Sequence, residues 1–236
     1  MSLPVAILCG GLGTRLYPLT RNKPKALVDI GGEAFLARQL RLLKESGIDR
    51  AVLCVGHHGD MLRDYAGDGG RFGLSVEYSW DGPYPLGTAG AVRKALPLLG
   101  DEFFVMYGDS YLPCDYRTVE RRFHESGKQG LMTVFRNEGR WDRSNVEMSD
   151  VGSVRVYDKK NSTPAMRHID YGLGVFRASA FDRAPTEGAF DLAALYQQLL
   201  REGELAACEV SERFYEIGSF EGIAELTTLL SSTERR

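Results

Sequence analysis

Short apolar, β-branched and aromatic runs alternate with helix-spaced stretches along the first half of the chain. Val5 to Cys9, Ala51 to Val55, Ser75 to Ser79 and Phe103 to Tyr107 read as strands, being compact and suited to a pleated, buried surface. Phe35 to Glu45, Thr88 to Leu99 and Tyr116 to Glu125 read as helices, with apolar residues recurring at three- and four-residue spacing. This alternation predicts a parallel sheet covered by helices on both faces. Ligands of such sheets bind outside the carboxyl ends of the strands, where the stretch after Cys9 and the Gly108-Asp109-Ser110 segment fall.

The pattern changes after residue 130. Leu131 to Phe135, Val146 to Met148, Ser153 to Tyr157 and Gly172 to Phe176 are strand-like and separated by polar turns. A helix is expected from Leu192 to Glu202, then a last strand and helix after Glu204. No linker rich in proline, glycine and serine divides the chain, so one domain with two lobes is expected over residues 1–236, with the boundary near residue 130.

Composition narrows the class. With 236 residues and 43% apolar content the chain can bury a substantial core. No apolar run approaches the length of a membrane span, and the N-terminal apolar stretch has no basic residues ahead of it. A soluble, unprocessed, cytoplasmic protein is expected, without a membrane partner. Cys9, Cys54, Cys114 and Cys208 are scattered and show no zinc spacing, which suits buried thiols in a reducing compartment. A net charge of -3 gives no reason to expect nucleic acid as a partner.

The candidate chemistry begins at Gly10-Gly11-Leu12-Gly13-Thr14-Arg15-Leu16-Tyr17-Pro18-Leu19-Thr20, continuing to Pro24-Lys25-Ala26-Leu27. A glycine-rich loop straight after an apolar strand offers successive N–H groups to an anion, and two cations follow close behind. A Walker loop is excluded because Thr14-Arg15 follows Gly13 where Lys and Ser or Thr are required. A dinucleotide fingerprint fails because its third glycine would fall on Leu16. Pro18 also disfavours a helical conformation at Tyr17, so no clean helix starts at the loop.

Read in order, these residues resemble the signature of the sugar-1-phosphate nucleotidylyltransferases, Gly-Gly-x-Gly-Thr-Arg-Leu-x-Pro-x-Thr and then Pro-Lys-x-Leu. Later segments fit in the same order over nearly the whole chain. The resemblance is to short members, such as those for heptose, mannose or N-acetylmuramic acid phosphates; no hexapeptide repeats of a β-helical extension are seen. It implies a Rossmann-like three-layer α/β/α sandwich with a mostly parallel sheet and a smaller β-rich sugar-binding lobe. It also implies a Mg²⁺-dependent reaction in which a sugar-1-phosphate oxygen attacks the α-phosphorus of a nucleoside triphosphate and pyrophosphate leaves. The phosphomonoester nucleophile is largely dianionic at neutral pH, so no general base is needed; positioning and charge neutralisation are. A homo-oligomer is left open.

By that resemblance Arg15 and Lys25 contact phosphates, and Cys9, Gly10, Gly11, Gly13 and Thr14 belong to the nucleotide loop. Asp109, at the end of the Phe103 to Tyr107 strand, matches the family's Gly-Asp-x metal motif. The second metal ligand is often Asp before Ile or Thr and Gly; here Glu216-Ile217-Gly218 puts a glutamate there, charged but one methylene longer. Leu86-Gly87-Thr88-Ala89 matches a loop against the base, with Thr88 expected to cap the helix that follows. Upstream, relatives carry Gln or Glu toward the base edge; this chain offers Asp81 and Gly82. Asp81 can accept from guanine N1 and N2, which tilts the expectation to GTP. On the sugar side Lys159 resembles a Glu-Lys-Pro lysine, although Asp158 and Lys160 flank it. Asp170 and Gly172 fall where relatives have Asn-x-Gly, and Asn145 where they have glycine. These departures imply an altered acceptor pocket.

His57 and His58 read as solvated loop residues, His124 as a surface helix residue, and His168 as a group near Asp170. Two other functions remain open from sequence: transfer to a non-sugar phosphomonoester such as phosphocholine, and a catalytically silent subunit that binds NDP-sugars.

Overall fold

The computed structural model describes residues 2–11, 13–82, 84–183, 185 and 188–233, so Leu12 and Pro83 of the motifs above lie outside the described residues. In chain order its elements are β1 (Val5–Leu8), α1 (Phe35–Glu45), β2 (Arg50–Val55), α2 (Gly59–Ala66), β3 (Ser75–Trp80), α3 (Gly87–Leu99) and β4 (Glu102–Tyr107). Then follow β5 (Ser110–Tyr111), α4 (Tyr116–Ser126), β6 (Gly130–Phe135), β7 (Val146–Met148), β8 (Val154–Tyr157) and β9 (Ile169–Arg177). The last elements are α5 (Leu192–Arg201), β10 (Leu205–Val210), β11 (Tyr215–Glu216) and α6 (Phe220–Thr233).

Seven strands form one sheet in the order β10-β6-β9-β4-β1-β2-β3. Neighbours run parallel except β9, which lies antiparallel to both β4 and β6. Both halves of the chain therefore contribute to a single mostly parallel sheet. β7 and β8 pair as a separate hairpin, and β5 with β11 as a two-residue ladder.

The sheet is central because its strands are apolar on both faces. Val5 and Ile7 point into a core with Leu36, Leu40 and Leu43 of α1, Leu62 of α2 and Phe123 of α4. Ala6 and Val105 point into another with Val92 and Ala95 of α3 and Leu195 and Leu199 of α5. Successive side chains of a strand alternate in direction, so β1 separates these two helix layers. A third cluster, Leu16, Val28, Ile30, Phe35, Ile217 and Leu226, docks α6 beside the glycine loop.

The helix expected over Phe35 to Glu45 has those bounds, and the other expected elements agree to within a few residues. α2 and the β5–β11 ladder are additions. α2 buries only Gly59, Leu62 and Ala66, and each ladder strand has two residues, too short for a periodic signal. All four cysteines are free and buried. Among the described residues no helix is long and apolar enough to cross a membrane.

Candidate active site

The carboxyl ends of β1 and β4 open onto a cavity of about 310 Å³. Cys9, Gly10 and Gly11 line it from the loop after β1, with Lys25, Asp81, Gly87, Thr88, Tyr107, Asp109 and Asp191 from other elements. Gly10 has no room for a side chain: an added Cβ would lie 2.8 Å from Oδ2 of Asp81. Gly87 has φ +73°, and a Cβ there would lie 2.5 Å from the Phe190 carbonyl oxygen, so both conformation and space require glycine.

Lys25, on a one-turn 3-10 helix at Lys25–Leu27, donates from Nζ to Oδ2 of Asp109 at 2.7 Å. Asp109 lies two residues past the end of β4, after Gly108, and its backbone carbonyl accepts from Ile217 N at 2.9 Å. In the β5–β11 ladder Ser110 stands opposite Glu216. The ladder thus brings Glu216 to the Asp109 side of the site. Although Glu216 as a whole is exposed, desolvation, then the charges of Asp109 and Asp142, push its carboxyl up to about 7; Arg15 and Lys25 pull the other way.

Arg15 and Glu216 line a neighbouring cavity of about 270 Å³, together with Trp141 and Arg213. Arg15 is exposed and leans over Gly218, where an added Cβ would come within 3.2 Å of its guanidinium. Gly13 and Thr14 do not line the first cavity. Gly13 begins the 3-10 turn Thr14–Leu16 with φ 64°, and its carbonyl accepts from Thr20 Oγ1 at 2.7 Å.

The oxygen donors suit Mg²⁺. It is held by one or two carboxylates and otherwise by water and phosphate oxygens, and the Asp109 charge is, after desolvation, among the causes that push the Glu216 carboxyl up. Among the described residues no three His, Cys, Asp or Glu side chains form a metal-holding group. Asp109 and Glu216 would therefore need a ligand's phosphates to complete a coordination shell.

In the first cavity, burial raises the Asp81 carboxyl above its ordinary value, opposed by Lys94, whose Nζ donates to the Asp81 carbonyl at 3.2 Å. Cys9 is pushed up to about 12, by burial first and the Asp109 charge second, so it stays a thiol. Thr88 corrects an expectation: it does not cap its own helix, whose N-cap is Leu86. Its Oγ1 accepts from Leu192 N at 2.8 Å, while its N donates to Asp191 Oδ1 at 3.2 Å. The N-termini of α3 and α5 thus cap each other. Sequence cannot pair two helices about a hundred residues apart.

Asp170, expected to face a sugar, is committed to the interior. Its side chain is 2% exposed and accepts from Tyr157 Oη at 2.9 Å, Lys159 Nζ at 3.2 Å and Gly172 N at 3.1 Å. Asn145 Oδ1 accepts from Asp170 N at 2.9 Å. Lys159 also donates to Tyr107 Oη at 3.3 Å. Tyr107 lines the first cavity, so it links Lys159 to that cavity's wall. Desolvation opposes the Lys159 charge, but Asp170 and Tyr107 outweigh it and hold the ammonium above its ordinary value. Among the histidines, His57 is exposed and His58 partly so, and neither lines the cavity. Sequence reasoning missed Asp191 and Tyr107: Tyr107 ends a strand whose carboxyl end was already marked as a ligand side, whereas a residue before a helix, like Asp191, gives no sign of facing a cavity.

Comparison with known proteins adds three findings. The family model described as "Nucleotidyl transferase" matches residues 5–232. The chain is similar to the mannose-1-phosphate guanylyltransferase catalytic subunit beta of Xenopus tropicalis, 32% identical over 219 residues covering 90% of this chain and 60% of that protein. It thus spans about 60% of the length of that relative. It is also similar to the D-glycero-alpha-D-manno-heptose 1-phosphate guanylyltransferase of Campylobacter jejuni, 26% identical and covering 90% of this chain and 93% of that one. A Bacillus anthracis structure solved in complex with a sucrose has the same fold, with TM-score 0.84 at 20% identity, covering 97% of this chain and 95% of that chain. Because the family model runs from the first strand into the last helix, the chain belongs to the nucleotidyl transferase family.

Proposed function

We propose that the protein transfers a nucleoside monophosphate from a nucleoside triphosphate to a sugar-1-phosphate, releasing pyrophosphate, and that the reaction needs Mg²⁺. The observation that carries this reading is the Lys25–Asp109 pair on the wall of the glycine-loop cavity, with Glu216 delivered beside it by the β5–β11 ladder. Two anions must be brought in line and the leaving pyrophosphate neutralised. Asp109 and Glu216 would hold Mg²⁺, which supplies charge neutralisation between the phosphates.

This chain's own residues do the rest. The loop at Gly10 and Gly11 offers backbone N–H groups to the polyphosphate. Lys25 and Arg15 bring positive charge to the two sides of Asp109 and Glu216, and Lys159 reaches the cavity wall through Tyr107. Asp170 and Asn145 act by holding Lys159 and the β7–β8 hairpin in place rather than by touching the sugar. No base is required, in keeping with histidines that stand off the cavity.

We take GTP as the preferred nucleotide. Asp81 lines the cavity next to Gly10, and a carboxylate there can accept from guanine N1 and N2. The names of the Xenopus and Campylobacter relatives, both guanylyltransferases, support it. The test is pyrophosphate release with GTP, CTP, UTP, dTTP and ATP against a panel of sugar-1-phosphates. Release with GTP above the others is expected; release with none of the five overturns the reading.

A further inference from the structure

Helix α1 turns one polar side chain into the core. Gln39 is 0% exposed on the face that also buries Phe35, Leu36, Leu40 and Leu43. Burying an amide is costly unless its hydrogen bonds are made. Its Nε2 donates to the Tyr107 carbonyl at 3.1 Å and to the Ser110 carbonyl at 2.9 Å. Those two acceptors bracket Gly108 and Asp109. Its Oε1 is buried without a partner. Turning the amide over would set Oε1 against two carbonyl oxygens, so the acceptors themselves dictate which end is the donor.

The glutamine leaves one buried acceptor unpaired, a cost offset by the two bonds that its amide donates. A methionine fills similar volume and leaves no orphan acceptor on the side chain. What it cannot do is grip both ends of the Asp109 turn. That turn is also held by Lys25 Nζ on the Asp109 carboxylate, by Gly108 N donating to the Leu8 carbonyl at 3.0 Å and by the Asp109 carbonyl accepting from Ile217 N. The latter contact sits beside Glu216.

We infer, on the functional reading above, that Gln39 is a positioning residue: it fixes the Asp109 turn, and through the β5–β11 ladder Glu216, for divalent-cation binding. Partners behind a metal ligand orient it, and losing one typically weakens metal binding about 10- to 100-fold. Gln39 acts through the backbone on either side of the ligand and touches neither substrate nor cation.

The test is calorimetric binding of the triphosphate that gives the highest turnover, with and without Mg²⁺ and without acceptor. In the parent, Mg²⁺ should raise nucleotide affinity. In Gln39→Met that gain should shrink about tenfold or more, with affinity in the absence of Mg²⁺ within twofold of the parent. Gln39→His, which keeps one N–H donor, should lose less. A Mg²⁺-dependent gain equal to the parent's in Gln39→Met overturns the inference. Should that variant not fold, Gln39→His decides it, an undiminished gain again being fatal. A parent that binds none of the triphosphates refutes the functional reading instead, so the two failures are told apart.

Discussion

The Lys25 ammonium donates to Oδ2 of Asp109 at 2.7 Å across a sequence separation of 84 residues. The pair is mostly shielded, with 16% and 25% of the side chains exposed. One oxygen of Asp109 is therefore engaged and its carboxylate oriented, and the cation that orients it also lines the glycine-loop cavity.

Lys25→Ala should lower turnover by about two to three powers of ten, the usual consequence of losing a preorganised charge-stabilising group. The fold should persist, since Lys25 contributes little to the core. Steady-state pyrophosphate release alongside circular dichroism checks both; a folded variant with near-parental turnover rules out the role.

Asp109→Asn keeps size and polarity but removes charge, and turnover should be nearly abolished. Glu216→Asp should retain measurable activity. Glu216→Gln should be severely impaired at low Mg²⁺ and partly rescued at high Mg²⁺, because fewer carboxylate ligands weaken the cation site. A Mg²⁺ titration of Glu216→Gln that overlays the parent's would make Glu216 a structural group.

Gly87→Ala forces a side chain into a left-handed conformation and against the Phe190 backbone. Ala89 N and Gly90 N donate to that same Phe190 carbonyl at 2.9 and 3.1 Å, so the α3–α5 capping is disturbed with it. A stability loss of about 1–3 kcal/mol by urea denaturation is expected, with weaker nucleotide binding. Unchanged stability would mean that the two helix ends tolerate separation.

Glu33 sets an acid limb on stability. The hydrogen bond from Arg41, then the charges of Arg41 and Arg38, outweigh desolvation and hold its carboxyl below the ordinary value of 4.5. A carboxyl depressed in the folded state stabilises the protein above its unfolded value, and this contribution disappears as pH falls through the folded one. Glu33→Gln should therefore destabilise at neutral pH and converge on the parent below pH 4.5. Parallel unfolding curves at both pH values would show that the ion pair carries no pH dependence.

Much of the architecture was legible because its causes are local. Apolar runs and helical spacing marked α1 at Phe35–Glu45 and the strands β1 to β4 within a residue or so. The glycine loop and Lys25 were legible as candidates because they fall in one short motif, and Asp109 because Gly108-Asp109-Ser110, after an apolar strand, resembles the family's Gly-Asp-x motif. Other parts carried no local mark. β9 enters antiparallel between β4 and β6, and β5 and β11 pair over two residues, in each case through contacts between distant segments.

The sequence by itself thus determined the alternation of strands and helices, the glycine-rich loop after β1 and the family resemblance, all written within short windows by steric preference, periodicity and local motif. Tertiary structure alone decided that Lys25 meets Asp109, that Glu216 arrives beside them, that Thr88 and Asp191 cap each other's helices and that Asp170 faces inward. The physical reason is that a hydrogen bond or a charge interaction depends on separation in space. Which distant residues come within a few ångströms is set by packing of the whole sheet and its two helix layers, not by neighbours along the chain.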